Sequence, residues 1–273
     1  MNELTVREAF VAGQFYPASS GELKSKIDSL VDKNAKRINA ISCMLPHAGY
    51  MYSGKVAAET VSKINIPDTV ILLGPNHTGL GEPFSIMTEG LWNMPMGNVR
   101  IDSSFAKNIL SNSALLKEDA LAHTNEHSLE VELPFFQYFK EDFKIVPIVL
   151  SCGDIKELKK LGDELAAAII SSNAKNKILI VASSDMTHYE PLLDAQKKDK
   201  EAIDAIIELD EDKLMQRIRK FDISMCGYAP AITMLKAAKA LGAKKAELVK
   251  YQTSADATGD KGSVVGYAGV IIY

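Results

Sequence analysis

Three short apolar runs in this sequence each end in a polar turn that carries a histidine. Residues 69–73, TVILL, are stopped by Gly74 and Pro75, and Asn76 and His77 follow. A run this short cannot be told from buried helix by periodicity. Pro67 before it and the Gly-Pro pair after it favour a strand buried on both faces. Residues 38–45 repeat the plan and end in Pro46-His47-Ala48-Gly49-Tyr50. Residues 177–182 repeat it again, ending in Ser183-Ser184-Asp185-Met186-Thr187-His188. Open parallel sheets bind ligands beyond the carboxyl ends of their strands. The chain has five histidines in 273 residues, so three at such positions point to one shared site.

Composition narrows the class. A hydrophobic fraction of 47% with 24% charged residues suits a globular chain with a sizeable core. The net charge of -4 supplies no basic footprint, so nucleic acid is not an expected partner. No apolar run approaches the roughly eighteen residues that span a bilayer, so no membrane partner is expected either. The opening MNELTVREAF lacks the pattern of a secretory signal. Cys43, Cys152 and Cys226 are three cysteines, an odd number for a disulfide framework, so a cytoplasmic location is expected. With no linker, low-complexity tract or repeat, residues 1–273 read as one α/β domain.

Along the chain, Ser19 with Glu22 has capping-box spacing, and the helix it opens carries Leu23, Ile27, Leu30 and Val31 inside. Ser53 is placed to cap a helix through Val56, Ala57, Thr60, Val61 and Ile64. Residues 84–87 read as a short strand, 91–97 as an irregular loop around the only tryptophan, Trp92, and 103–110 as a helix. An amphipathic segment from Ser128 is kinked or restarted at Pro134. Residues 144–150 form a strand, and Asp154 with Glu157 caps the next helix. Helices follow near 195–209, 211–221 and 230–240. Two strands, 246–253 and 264–272, are split by a polar loop.

The chemistry rests on few residues. His47 and His77, each in a Pro/Gly-bounded turn after a buried strand, are expected to ligate a metal, because neutral imidazole offers a lone pair near neutral pH. Asp185 and His188 are three apart and share a face if the turn is helical. Asp185 could then orient an imidazole, leaving His188 as general acid or base, or it could merely cap the turn. Cys226 precedes Gly227 at a helix start, where a thiolate is stabilised. Cys43 and Cys152 read as inert. On spacing alone Glu126-His127 belongs to a solvated loop, and His123 to the surface. Phe15, Tyr50 and Tyr52 could wall a pocket. Phosphate-loop, dinucleotide and serine-hydrolase signatures are absent.

Taken in order, AGQFYP, PHAGYMYSG, LLGPNH, EHSLEVELPF, SSDMTHY and MCGYAP resemble the Memo family, over residues 12–230. The resemblance implies a fold like that of class III extradiol dioxygenases: one α/β domain with a central mixed, largely parallel sheet flanked by helices. By motif, His47, His77 and Cys226 match the family's metal ligands, with Asp185 and His188 beside them and His127 in the same cleft. Those dioxygenases complete an iron site with a carboxylate; Memo members present a cysteine, here Cys226. A thiolate shifts preference towards copper(I) or zinc, or changes the potential of iron. Phe15 stands where vertebrate members have a tryptophan implicated in peptide binding. Prokaryotic members often accompany a radical-SAM protein, which implies a shared pathway.

Three functions compete at this level. One is a metal-dependent oxidoreductase holding iron(II), with copper or zinc as alternatives, acting on a small, aromatic or phenolic molecule. A second is a non-catalytic metal handler or peptide-binding adaptor using the same cleft. The third is a thiol enzyme with Cys226 as nucleophile and His77 or His188 as base.

Overall fold

The computed structural model describes residues 5–151, 153–172 and 177–273. Cys152 lies outside the described residues. In chain order, β1 (Val6–Glu8) leads to α1 (Ser20–Asp28), β2 (Ser42–Leu45), α2 (Gly54–Ser62) and β3 (Thr69–Pro75). Next come β4 (Phe84–Ile86), β5 (Leu91–Met94), β6 (Gly97–Ile101), α3 (Ser103–Ser111) and β7 (Lys117–Glu118). Then follow α4 (Leu121–Thr124), α5 (Leu133–Phe139), β8 (Lys144–Leu150), α6 (Ile155–Ser171), β9 (Ile178–Ser183) and β10 (His188–Glu190). The chain closes with α7 (Leu192–Ile207), α8 (Glu211–Phe221), α9 (Tyr228–Ala240), β11 (Ala246–Thr253), α10 (Ala255–Thr258) and β12 (Val264–Ile272).

One mixed sheet runs β1-β5-β6-β8-β3-β9-β2-β12-β10, with β11 paired to β12 and β4 paired to both β7 and β8. Its middle, from β6 to β2, is parallel throughout. Every residue of β2, β3 and β9 is buried, the pattern expected where both faces of a parallel sheet are covered. Helix α9 packs across these three strands, α6 lies on α9, and α2 packs against β2, β11 and β12. Burying a side chain such as Leu72 or Ile180 stabilises the fold by about 1.5–3 kcal/mol relative to leaving it exposed. Since β3, β9 and β2 are neighbours pointing the same way, their three carboxyl ends open at one edge of the sheet. Among the described residues no helix is long and apolar enough to cross a membrane.

The expected helices form, and their caps mostly behave as read. Ser19 accepts the Glu22 N–H, and Asp154 and Glu157 form a full capping box. Ser53 stands at the start of α2, but its hydroxyl donates to the Ala48 carbonyl at 2.8 Å, fastening the His47 turn instead. The irregular loop expected at 91–97 is a hairpin, β5 with β6. Its Trp92 is fully buried beneath the Arg7 guanidinium, 4.2 Å from the ring centre, so packing overrides the Pro95 and Gly97 breakers, which only turn the chain. Pro134 sits in the first turn of α5, where its missing N–H costs nothing, so it starts a helix and kinks none.

Candidate metal centre

His47 follows β2, and its side chain is 2% exposed. His77 follows β3, and its ring is 33% exposed on the cleft side. Cys226 arrives from the other direction, just before the Gly227 cap of α9. Gly227 is required there. A Cβ at this position would lie 2.1 Å from the Ser183 carbonyl oxygen, so only glycine lets the Cys226 turn close onto the end of β9. Gly74 does the same on β3, where a Cβ would lie 2.5 Å from the Ser128 hydroxyl and hold off the loop that carries Glu126 and His127.

The ligand atoms of His47, His77 and Cys226 all lie within 4.8 Å of one another, a grouping that could hold a metal ion. The Cys226 sulfur is 3.3 Å from His47 Nε2. Hydrogen bonding on the far side of each ring decides which nitrogen is bare. Ser183 Oγ gives its hydrogen to the Ser128 carbonyl (2.8 Å), so at His47 Nδ1 (2.7 Å) it must accept. His47 therefore carries its proton on Nδ1 and offers Nε2. Glu126 accepts from His77 Nδ1 (2.9 Å), from the His77 backbone N–H (2.6 Å) and from the Ser128 N–H (2.9 Å). With Nδ1–H held by Glu126, Nε2 is the His77 nitrogen that can offer a lone pair. Two bare imidazole nitrogens and one thiol are a donor set that fits a borderline or soft first-row metal.

The electrostatics agree. Burial, then the neighbouring His77, His127 and His188, holds His47 well below the usual imidazole range, so it stays a neutral donor. Burial alone would raise the Glu126 carboxyl. Its hydrogen bonds to His77 and Ser128 and the His77 charge outweigh that and bring it down to about 2. Burial, then the Asp185 carboxyl, pushes the Cys226 thiol up despite its place at a helix start. A bound cation is what would turn it into thiolate.

Sequence comparison identifies the scaffold. The model of the Memo family, described as Memo-like protein, matches residues 7–271. The chain belongs to the Memo family. A MEMO1 family protein of Methanopyrus kandleri is 40% identical over 279 residues, covering 97% of this chain and 98% of the relative. Counterparts in Methanosarcina mazei and Aquifex aeolicus are 41% and 43% identical, each covering 98% of this chain and 100% and 99% of the relative.

Around the three donors this Memo family member builds a cavity of about 840 Å³. Phe15, Tyr52, His127, Asp185, His188 and Tyr267 line it. Tyr50 does not; it is buried and stacked on Phe135 at 4.5 Å, with its hydroxyl on the Val131 carbonyl. His127 joins the imidazole cluster: its ring stacks on His77 at 4.7 Å and meets Phe15 edge-on at 5.0 Å. Glu126 and His127 therefore leave the solvated loop expected of them. Glu126 is 1% exposed and points inward because Gly74 lets its loop settle on β3.

Asp185 and His188 share no helical face. Residues 184–187 form a loop, and His188 begins β10. Tyr189, at φ 59°, breaks the register between β10 and β12, an irregularity of the kind that re-aims side chains beside sites. Asp185 accepts the His47 backbone N–H (2.9 Å); the groups on the imidazole rings are Ser183 and Glu126 instead. Burial raises Asp185 to about 6, against the pull of that N–H and of His188 and His77. His188 is fixed by its Nδ1–H on the Ser224 carbonyl (2.9 Å).

His123 is not at the surface. It is fully buried, bonded through Nδ1 to the Asp119 carbonyl and edge-on to Trp92 at 6.4 Å, and it does not line the cavity. Glu126, Ser183 and Ser128 are the site residues that motif spacing alone does not reveal. The signal for Glu126 and Ser128 was the acidic spacing in EHSLEVELPF, charges placed inside an apolar segment; Ser183 has no such signal.

Proposed function

We propose that this chain is a metal-dependent redox protein in which His47, His77 and Cys226 hold iron(II), with copper or zinc as competing ions, and the adjoining cavity takes a small aromatic or phenolic substrate. The observation that carries the reading is the convergence of two Nε2 atoms and one sulfur, with each ring's other nitrogen already engaged. Carboxylate or hydroxyl partners on the distal nitrogen orient a histidine ligand and raise its basicity. When bound, the metal would supply Lewis acidity and redox capacity. The chain's own residues do the rest. Phe15, Tyr52 and Tyr267 form aromatic walls suited to a flat substrate, and the cavity volume falls in the range of small-molecule sites. His188, with Nδ1–H committed to Ser224, has Nε2 to take up a substrate proton. Asp185 holds the His47 backbone in place.

The test is elemental analysis of protein purified without added metal, then anaerobic iron(II) titration and oxygen uptake with a panel of catechols and phenols. One equivalent of metal with metal-dependent oxygen uptake is expected. The soft sulfur donor favours a second reading, a metal handler without turnover. A bound metal with no oxygen uptake but transfer to an acceptor chelator would select it. The raised Cys226 thiol weighs against a metal-independent thiol enzyme.

A further inference from the structure

Three glutamates of EHSLEVELPF are buried, and two are fully used. Glu126 serves His77. Glu130 takes the Arg7 guanidinium, the Tyr16 hydroxyl and the backbone N–H groups of Phe10 and Val11. Glu132 differs. It is completely buried, neither carboxyl oxygen makes a well-formed hydrogen bond among the described residues, and the hydroxyl set against it is that of Ser183. The groups that interact with it are the Ser183 hydroxyl, the Asp185 carboxyl, the Tyr50 phenol and the Cys43 thiol. None brings a positive charge. A carboxylate ion here would be an uncompensated buried charge; the neutral acid removes the charge and gains a donor.

Ser183 has a use for that donor. Its hydroxyl owns one hydrogen and two lone pairs. The hydrogen goes to the Ser128 carbonyl, and one lone pair takes the His47 Nδ1–H. The second lone pair has no bonded donor among the described residues. We propose that Glu132 is a positioning residue, held as the neutral acid, whose O–H serves Ser183 Oγ and thereby locks the tautomer of His47. With Glu132 in place, Ser183 keeps its hydrogen on Ser128 and can only accept from His47, so Nε2 stays bare. Without it, Ser183 is free to rotate and donate to Nδ1, and His47 then carries its proton on Nε2, the nitrogen a metal needs. Burial, with Asp185 adding to it and Ser183 opposing, pushes the Glu132 carboxyl well above the usual range. The consequence at the metal rests on the function proposed above; the tautomer itself does not.

The experiment therefore reads both. Infrared spectra of the wild-type chain and Glu132→Gln, at neutral pH, should differ by the carbonyl stretch of a protonated acid present only in the wild type. Nitrogen-15 NMR of the metal-free protein should show His47 protonated on Nδ1 in the wild type and in Glu132→Gln, whose amide N–H can still donate to Ser183. Glu132→Leu, which removes the donor, should populate the Nε2–H form and weaken cobalt(II) binding about tenfold or more, with Glu132→Gln restoring it. Absence of the acid band overturns the proposal, as does Glu132→Gln losing as much as Glu132→Leu, or a His47 tautomer indifferent to both. If the wild type takes up no cobalt(II) while the band and the tautomer shift persist, the metal reading fails and the role of Glu132 stands.

Discussion

His47 and His77 occupy the same place in the plan, two residues beyond the carboxyl end of a buried parallel strand, yet their surroundings are opposite. His47 is sealed in, and its distal nitrogen meets a serine hydroxyl. His77 faces the cleft, and its distal nitrogen meets a carboxylate whose acid form is suppressed to about 2. Equivalent strand ends thus deliver one imidazole with fixed geometry and a hydroxyl partner, and one with a carboxylate partner and solvent access. The lesson is that the strand sets where an imidazole stands, while the loop packed on it sets what kind of donor it can be.

Removing either ring tests the comparison hardest. His47→Ala should abolish stoichiometric metal uptake, read by elemental analysis, while circular dichroism stays unchanged. Unchanged affinity would remove His47 from the ligand set. Cys226→Ser should follow closely, because a neutral hydroxyl replaces a thiolate. Cys226→Glu should recover iron(II) binding by restoring a carboxylate; catechol-dependent oxygen uptake in that variant would tie the cleft to dioxygenase chemistry.

Acid separates ligand from framework. His123, outside the cleft, is held at about 4 by burial, opposed by the Asp119 and Pro147 carbonyls. The unfolded chain takes up that proton near pH 6.5, before the folded one does. Stability from this group is therefore whole above pH 6.5, declines as pH falls to about 4, and amounts to about 3 kcal/mol. Denaturant titration across that window should show a slope in the wild type that is reduced in His123→Gln, the remainder coming from His47, which burial also holds below the usual imidazole range. A slope unchanged by the substitution places the acid sensitivity elsewhere.

Glu126→Gln tests the His77 side alone. Losing the carboxylate should weaken metal binding about 10–100-fold. An equal loss from Ser183→Ala would erase the proposed asymmetry. The smallest effect on metal is expected from His188→Ala, which should keep full metal content and lose turnover. Metal loss in that variant would move His188 into the ligand set.

Much of the fold was readable in the chain. Runs such as 69–73 are apolar on both faces because the sheet is covered on both sides, and Ser19, Asp154 and Glu157 announce their helices by local hydrogen bonding. Trp92 was misread because Pro95 and Gly97 are local breakers, whereas the force that makes β5 a strand is distant packing under Arg7. His123 was misread for a related reason: it lies in a polar stretch, and only the sheet behind it buries it. The order of β3, β9 and β2 is likewise invisible in a linear pattern, since strands far apart in the chain become neighbours only through their crossover helices. By itself the sequence determined that three strand ends carry histidines, that a cysteine precedes a helix, and that the family is Memo. Tertiary structure decided which nitrogen of each ring is free. That choice depends on partners such as Ser183 and Glu126, 136 and 49 residues from the rings they bond, and distances of that kind follow from packing and not from spacing.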